Sequence, residues 1–288
     1  MLVIIGIIVV ILSIITGFTI AGGKLLLLLQ WAEFMIIVGT AIGSMLIMSS
    51  PSMLKKIIAA IPNLFKNHSI TKQDYLELLK SFNDLFLISQ RDGLLSIEPH
   101  IESPEKSKVL SANKKFIENK FAVSFFCDTM KIMLSGAIPG HELESLIDKE
   151  IETFEIESKP VPATITKIAD SLPGIGIVAA VLGIIVTMSS IDQGAVAVGH
   201  HVAAALVGTF LGVLLSYGFI NPIATNIEHE IESKMRYLET IKVCVVAYAK
   251  GNPPIIAVEM ARRTIFSEVR PTFSELENFI RGKNKANG

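Results

Sequence analysis

Charged residues are scarce in this chain of 288 residues. Only 18% of its residues are charged, whereas soluble domains average about a quarter. Half of the residues are hydrophobic, which is typical of an integral membrane protein. The formal net charge is −1, so nothing in the composition indicates a nucleic-acid partner.

Cysteine and the usual catalytic motifs are also in short supply. Cys127 and Cys244 lie far apart in polar segments, and their spacing matches no metal-binding or redox motif. We expect both to be free thiols rather than a disulfide. The sequence contains no phosphate-binding loop, nucleophile elbow or metal-ligand cluster. We therefore expect neither an enzyme nor a bound cofactor.

Charge is absent above all from four long apolar runs. They cover residues 2–21, 34–50, 172–191 and 202–223, and each is long enough to cross a bilayer. No basic residue precedes the first run, which favours a retained helix over a cleaved signal peptide. None of the four has an acidic or basic side chain in its middle. If this protein moves ions, we expect a partner to supply the carboxylate.

The basic residues indicate how the four runs cross the membrane. The short links inside the two hairpins contain one of the 26 Lys and Arg residues, Lys24. The others lie in the two long polar segments, and Lys55 and Lys56 are close to a membrane end. By the positive-inside rule, both long segments are cytoplasmic.

Helical periodicity and the lack of strand-like alternation predict an all-α protein. We expect four transmembrane helices in two hairpins and a helical cytoplasmic domain. Cytoplasmic helices are predicted at 71–91, 116–134, 141–154 and 224–249, with two short helices after Pro253-Pro254 and Pro271. The predicted domains are the first hairpin, 1–50; the cytoplasmic helical domain, 51–170; the second hairpin, 171–223; and the C-terminal helices, 224–288.

Small residues form a stripe on each helix of the second hairpin. The stripes are Gly176, Ala180, Gly183 and Thr187 in the third helix, and Ala205, Thr209, Gly212 and Ser216 in the fourth. Such stripes allow helix backbones to approach closely, and this packing is one interpretation. The other is an ion path, in which the hydroxyls offer oxygen atoms instead of bonding their own helix backbone. Helices one and two are expected to face mostly outward.

Two prolines flank this hairpin. Pro173 is predicted at the start of the third helix, where proline is well tolerated. Pro222 lies late in the fourth helix, where its missing N–H favours a bend. Both are candidate hinges between membrane helices and cytoplasmic helices.

Two segments of the second hairpin resemble a known family. Residues 170–183, DSLPGIGIVAAVLG, and residues 205–222, ALVGTFLGVLLSYGFINP, are similar to the signature of the MotA family of bacterial flagellar motor stator proteins. The first hairpin and residues 91–104 resemble the same family, so the likeness extends over essentially the whole chain.

This resemblance implies a multi-pass protein of the bacterial inner membrane, in contact with lipid. Five copies would surround two copies of MotB, whose single membrane helix supplies an ionisable Asp. The ring would turn as ions pass, and its cytoplasmic helices would push the rotor protein FliG through charged contacts. The rotor-contact residues of the family correspond to Arg91 and Glu98, an assembly or rotor position corresponds to Glu150, and the two family prolines correspond to Pro173 and Pro222.

The resemblance also bears on the coupling ion. Sodium-driven relatives have Thr at the positions of Ala180 and Thr209, and this chain keeps only the second. Sodium needs several oxygen ligands, as hard cations do, whereas a proton needs only a chain of acceptors. The missing hydroxyl favours protons over sodium. The ion-path residues expected on this basis are Ala180, Gly183, Thr187, Thr209 and Gly212.

Two other functions remain open at this point. An energiser of the ExbB/TolQ type, which drives outer-membrane processes, would use a similar ring, although those relatives typically have three membrane helices. A passive membrane scaffold would conduct no ions at all.

Overall fold

The computed structural model describes residues 2–64, 70–136, 138–189, 192 and 194–282. Within these residues the helices are α1 (Leu2–Ile20), α2 (Trp31–Met48), α3 (Pro51–Asn63), α4 (Lys72–Asp92), α5 (Glu98–Glu102), α6 (Lys114–Glu118), α7 (Lys120–Leu134), α8 (Gly140–Ser158), α9 (Pro160–Ser189), α10 (Ala195–Val213), α11 (Asn221–Ala249), α12 (Pro254–Thr264) and α13 (Phe273–Ile280). Short 3₁₀ turns cover Leu25–Leu28 and Leu94–Ile97, and a π-helix, Leu214–Ile220, joins α10 to α11.

The all-helical prediction is confirmed, because the described residues contain helices and turns but no strand. In the part of the chain that the structure describes, four helical stretches are long and apolar enough to cross a membrane, and the four predicted runs fall within or largely within them. Residues 190 and 191, which end the third predicted run, lie outside the described residues. The protein is a multi-pass membrane protein.

The chain forms two compact units. The membrane unit consists of Met1–His68 and Ser158–Glu230, and the helical unit consists of Ser69–Glu157 and Ile231–Gly288. These units follow the packing of the helices. The four predicted domains follow the membrane crossings instead, and their boundaries stay predictions.

In the membrane unit, α2 packs against α9 and α10. Ile37 of α2 is fully buried, and Ala41 is buried one turn later. By contrast, no residue of α1 is buried among the described residues. Most of α2 is also exposed within the chain, which agrees with the prediction that helices one and two face mostly outward, but one narrow face of α2 packs against the second hairpin. Ile37 and Ala41 form this face, whereas Met35, Ile42 and Ile47 are exposed.

The prediction for Pro173 also needs correction. The helix that contains it begins at Pro160, so Pro173 lies in the helix interior rather than at its start. The polar residues before 171 continue the helix, which hydropathy alone could not show. Because proline lacks an N–H, the carbonyl of Ala169 loses its usual helical partner. Pro222 follows directly after the π-helix, so it also lies in a continuous helical segment.

The helical unit has an aromatic core. The rings of Phe82 and Phe126 stack at 4.3 Å between centroids, and Phe116 packs edge-on against both. Phe86 of α4 stacks on Tyr248 of α11 at 4.0 Å. These contacts join α4, α7 and α11, so this unit has its own hydrophobic core.

Local signals set the helix ends of this unit. Thr71 and Asp74 form a reciprocal capping box at the start of α4, and Gly93 ends it with a φ of 94°. The predicted helix 116–134 is divided in two, because Asn119 caps a new helix through a bond from the N–H of Ala122. Cys127 and Cys244 are free thiols, as expected, and both are buried in this unit.

A buried carboxylate in the membrane unit

The two small-residue stripes meet each other inside the membrane unit. A Cβ added at Gly176 would lie 2.8 Å from the carbonyl oxygen of Gly208 and 3.1 Å from Cα of Gly212. One added at Gly183 would lie 2.9 Å from Cβ of Ala205. These pairs run in opposite directions along the chain, so α9 and α10 are antiparallel. Their backbones approach as closely as small residues allow.

The predicted ion-path residues lie along this contact. Ala180, Thr187 and Gly212 are buried, whereas Gly183 and Thr209 are half-buried. The Thr187 hydroxyl donates to the carbonyl oxygen of Gly183 at 2.8 Å. Tight packing and backbone bonding therefore account for these residues within one chain. Their role in an ion path stays a prediction.

A second small-residue motif, Gly39 and Gly43 of α2, behaves differently. Apart from neighbouring residues of the same helix, no described heavy atom lies within 4 Å of a Cβ added at either glycine. This face of α2 is therefore open within the chain.

The sequence prediction missed the most unusual side chain of the membrane unit, Glu33. It is the third residue of α2, and only 6% of its surface is exposed. Its Oε2 atom lies 2.7 Å from the position that a Cβ would take at Gly208, and its Oε1 atom lies 3.2 Å from the equivalent position at Gly183. Glu33 therefore fills the space left by two glycines at the contact of α9 and α10.

The predicted second run begins at residue 34 and leaves Glu33 in the link before it, and this boundary is corrected here. The helical stretch that is apolar enough to span a membrane is Leu25–Met48, and it includes Glu33. An acidic residue three positions after a helix start usually caps the helix, so the pattern suggested a residue in a link. Its position at the start of a long apolar run was the available signal. Nothing in the sequence showed which way its side chain points.

The regions around the two prolines are joined by a side-chain contact. The Asn221 amide donates to Asp170 Oδ1 at 3.2 Å, and these residues lie close in sequence to Pro222 and Pro173. In the intervening π-helix, Ser216 is completely buried, and its hydroxyl has no hydrogen-bond partner among the described residues. π-Helical segments often occur at functional sites.

The predicted rotor-contact residues lie at one end of the helical unit. Arg91, near the end of α4, has 76% of its side chain exposed and forms a bidentate pair with Asp92 at 2.7–2.8 Å. This pair raises the pKa of Arg91 and lowers the pKa of Asp92. Exposed Glu98 begins α5, directly after the 3₁₀ turn Leu94–Ile97. The structure thus places Arg91 and Glu98 in neighbouring turns.

Glu150 lies on a different helix, α8, and is exposed. Partial burial and the negative charge of Asp128 raise the pKa of this carboxyl. No described bond links Glu150 to Arg91 or Glu98. Beside the end of α4, a cleft of about 480 Å³ is lined in part by Gln90 and Leu94.

The chain matches two family models. Residues 4–93 match "Motility protein A N-terminal", and residues 117–240 match the "MotA/TolQ/ExbB proton channel family". Among curated proteins, Motility protein A of Salmonella typhimurium is 36% identical over 100% of this chain and 97% of the relative. Motility protein A of Escherichia coli is also 36% identical, with 98% and 95% covered. Chemotaxis protein LafT of Vibrio parahaemolyticus is 34% identical, with 96% of both chains covered.

Two solved structures share the fold. A chain of the flagellar MotAB stator complex from Bacillus subtilis aligns with a TM-score of 0.76 at 22% identity, covering 95% of this chain and 97% of that chain. A chain of MotAB from C. jejuni aligns with a TM-score of 0.78 at 18% identity, covering 94% and 98%. With full-length relatives at 36% identity and matches to both family models, the chain belongs to the Motility protein A family, in the MotA/TolQ/ExbB proton channel group.

Proposed function

We propose that this chain is the ring-forming subunit of a flagellar motor stator, which conducts protons together with a MotB-type partner and drives the rotor. The observation that carries the proposal is full-length similarity to Motility protein A, together with four candidate membrane spans arranged as two hairpins. The solved relatives are MotAB complexes, which supports a partner of this kind. Five copies around two MotB helices is the arrangement that the family implies.

The membrane unit has apolar surfaces against which the membrane helix of a partner can pack and move. The face of α9 away from α10 carries large exposed aliphatic residues, including Ile177, Val181 and Ile184. The Gly39–Gly43 face of α2 is open as well. Such surfaces are suited to lipid, to neighbouring copies or to the MotB helix. In this arrangement Thr209 and Ala180 would lie near the ion path, with the MotB Asp as the principal carboxylate.

Protons suit the polar groups of this chain better than sodium does. The Thr187 hydroxyl donates to its own helix, and Ala180 supplies no hydroxyl. Few side-chain oxygens are therefore free to form the shell that a hard cation needs. Swimming speed at varied external sodium tests this choice. A strict dependence on sodium would contradict it.

The proposed sidedness follows from charge: the inner membrane holds the protein, and both long polar segments face the cytoplasm. Pro173, Pro222 and the π-helix would then lie toward the cytoplasmic side of the membrane helices. The bond between Asp170 and Asn221 would move with this hinge. Alanine at either proline should reduce torque more than it reduces the amount of protein in the membrane.

We place the contact with FliG at Arg91 and Glu98, with Glu150 as a further rotor or assembly position. Arg91 must exchange Asp92 for a rotor carboxylate, and exposed pairs of this kind contribute little to stability. Reversing its charge, Arg91→Glu, should therefore remove torque without unfolding the protein. Arg263→Glu is the matched control, since Arg263 is 74% exposed and pairs with Glu259 at 3.0 Å. Equal torque in both variants would contradict the assignment.

The decisive test of the whole proposal is neutralisation of the partner's membrane Asp. The two proteins are expressed together in cells that lack their own stators, and motility and proton uptake are measured. A stator loses both. A passive scaffold loses neither, and an ExbB/TolQ-type energiser fails to restore motility even with the native partner.

A further inference from the structure

We infer that Glu33 is a proton-binding site of this chain itself, placed where protons enter the path. The inference rests on the proposed stator function and adds a second carboxylate to the one that the partner supplies. It depends on the burial of Glu33, on the residues that face its carboxylate and on its Oε2 atom, which has no hydrogen-bond partner among the described residues.

Glu33 does not do what an acid at its position usually does. In a capping box, a Glu at this position would reach back to the backbone N–H of the residue that caps the helix. Here that residue is Gln30, whose side chain makes no cap bond and donates instead to the carbonyl oxygen of Leu27. The Oε2 atom of Glu33 is buried and has no hydrogen-bond partner among the described residues. Helix capping therefore does not explain this carboxylate.

The surroundings of the carboxylate are shaped to admit it. Its two oxygens lie within 3.2 Å of the positions that Cβ atoms would occupy at Gly183 and Gly208. The same position at Gly208 is 3.3 Å from the backbone nitrogen of Ala180. A Cβ at Gly208 would collide with Glu33, and one at Gly183 would make a tight contact with it. The carboxylate thus reaches the stretch of α9 and α10 that contains the predicted ion-path residues.

Among the described residues, no cation neutralises Glu33. Between Asp170 and Asp192, α9 has no ionisable residue, and α2 has none besides Glu33. On α10 the ionisable residues are His200, whose side chain lies outside the described set, and half-buried His201, one turn before Ala205. Lys24, ahead of the first 3₁₀ turn, is exposed. A buried, unpaired carboxylate is costly, and binding a proton removes that cost.

The step is a simple proton transfer. A proton from water forms an O–H bond with the carboxylate, which becomes a neutral carboxyl group. The proton later leaves to the next acceptor along the path, and the carboxylate is regenerated. The carboxylate of Glu33 lies level with Gly183, which is six residues before Ser189, the last residue of α9. At a rise of 1.5 Å per residue, this position is about 9 Å inside the end of α9. This end is the one remote from the long polar segments, so it is the outer end in the proposed topology.

The test uses the complete complex with its partner in membrane vesicles, with proton flux measured at several outside pH values. Glu33→Gln keeps the shape and removes the acid, and we expect it to lower the flux about tenfold or more, as loss of a positioned proton acceptor does. It should also flatten the dependence of flux on outside pH. Glu33→Asp should retain most of the flux and the pH dependence. Glu118→Gln, an exposed acid of the helical unit, is the matched control.

The outcomes are distinct. Wild-type flux and pH dependence in Glu33→Gln would overturn the inference, provided that neutralising the partner's Asp abolishes flux. If neutralising that Asp has no effect, the proposed function itself fails. Loss of pH dependence in His201→Gln but not in Glu33→Gln would assign the site to the histidine instead. Should the Gln variant assemble poorly, Glu33→Asp decides: loss of flux and of its pH dependence in this variant, which keeps the acid and assembles normally, would count against the site.

Discussion

The contact between α9 and α10 leads to a quantitative prediction for Gly212→Ala. The added Cβ would lie 2.6 Å from the carbonyl oxygen of Leu172 and 2.9 Å from Cα of Gly176. Ordinary Cβ contacts begin at 3.4 Å, so the two helices must separate by about 0.8 Å. Overpacking of this kind costs about 1–3 kcal/mol.

Alanine also favours a helix over glycine by about 1 kcal/mol, which would mask part of this cost. Gly174→Ala is the matched control, because Gly174 lies on α9 and, beyond its own neighbours in the helix, no described heavy atom lies within 4 Å of its added Cβ. Both variants receive the same helix-propensity gain, so the difference between them isolates the steric cost. We expect Gly212→Ala to be less stable than Gly174→Ala by about 1–3 kcal/mol.

The measurement is unfolding of the purified protein from mild detergent into dodecyl sulfate, followed by circular dichroism. The same variants should be scored for swimming, where Gly174→Ala should match wild type and Gly212→Ala should not. Equal stability of the two variants would refute the close backbone contact of α9 and α10. It would also weaken the geometric argument that Gly183 and Gly208 leave space for the carboxylate of Glu33.

Three further predictions concern the helical unit. Phe82→Ala should lower the free energy of unfolding by about 3–5 kcal/mol, because its ring stacks on Phe126 in the core; chemical denaturation measures this, and a loss under 1 kcal/mol would contradict the stacking. Thr71→Ala should cost about 1 kcal/mol by removing the capping box of α4, and Thr71→Ser should restore most of it. Glu150→Gln should raise stability by about 0.5 kcal/mol at most. The raised pKa of Glu150 means that folding disfavours the charged form of its carboxyl group. The stability gain of Glu150→Gln should therefore be absent below the pKa of an unfolded Glu and appear as pH rises through the higher pKa of the folded protein. A gain seen only at low pH would contradict this.

Much of the fold was predictable because its determinants are local. Four uninterrupted apolar runs require helices in a membrane, since no other backbone structure satisfies its own hydrogen bonds there except a closed barrel. Thr71 and Gly93 mark the ends of α4 through side-chain capping and a left-handed backbone, and both signals are visible in the sequence. The stripes of small residues also indicated correctly that α9 and α10 pack closely.

The orientation of helices about their own axes was not predictable from such signals. α1 and α2 are both rich in bulky aliphatic residues, yet α2 has one buried face and no described residue of α1 is buried. Pro173 looked like a helix start because hydropathy changes there, but backbone hydrogen bonding continues from Pro160. Both outcomes depend on contacts with residues far away in the chain.

The sequence by itself determined a membrane protein of four spans, its family and the absence of a charge midway along each predicted run. Only the tertiary structure decided where the side chain of Glu33 lies. The residue could have capped its own helix or faced water, and periodicity does not distinguish these from burial. Two glycines that lie far from Glu33 in sequence, Gly183 and Gly208, open the space that its carboxylate occupies. The reason is geometric: that space exists only when three helices have come together.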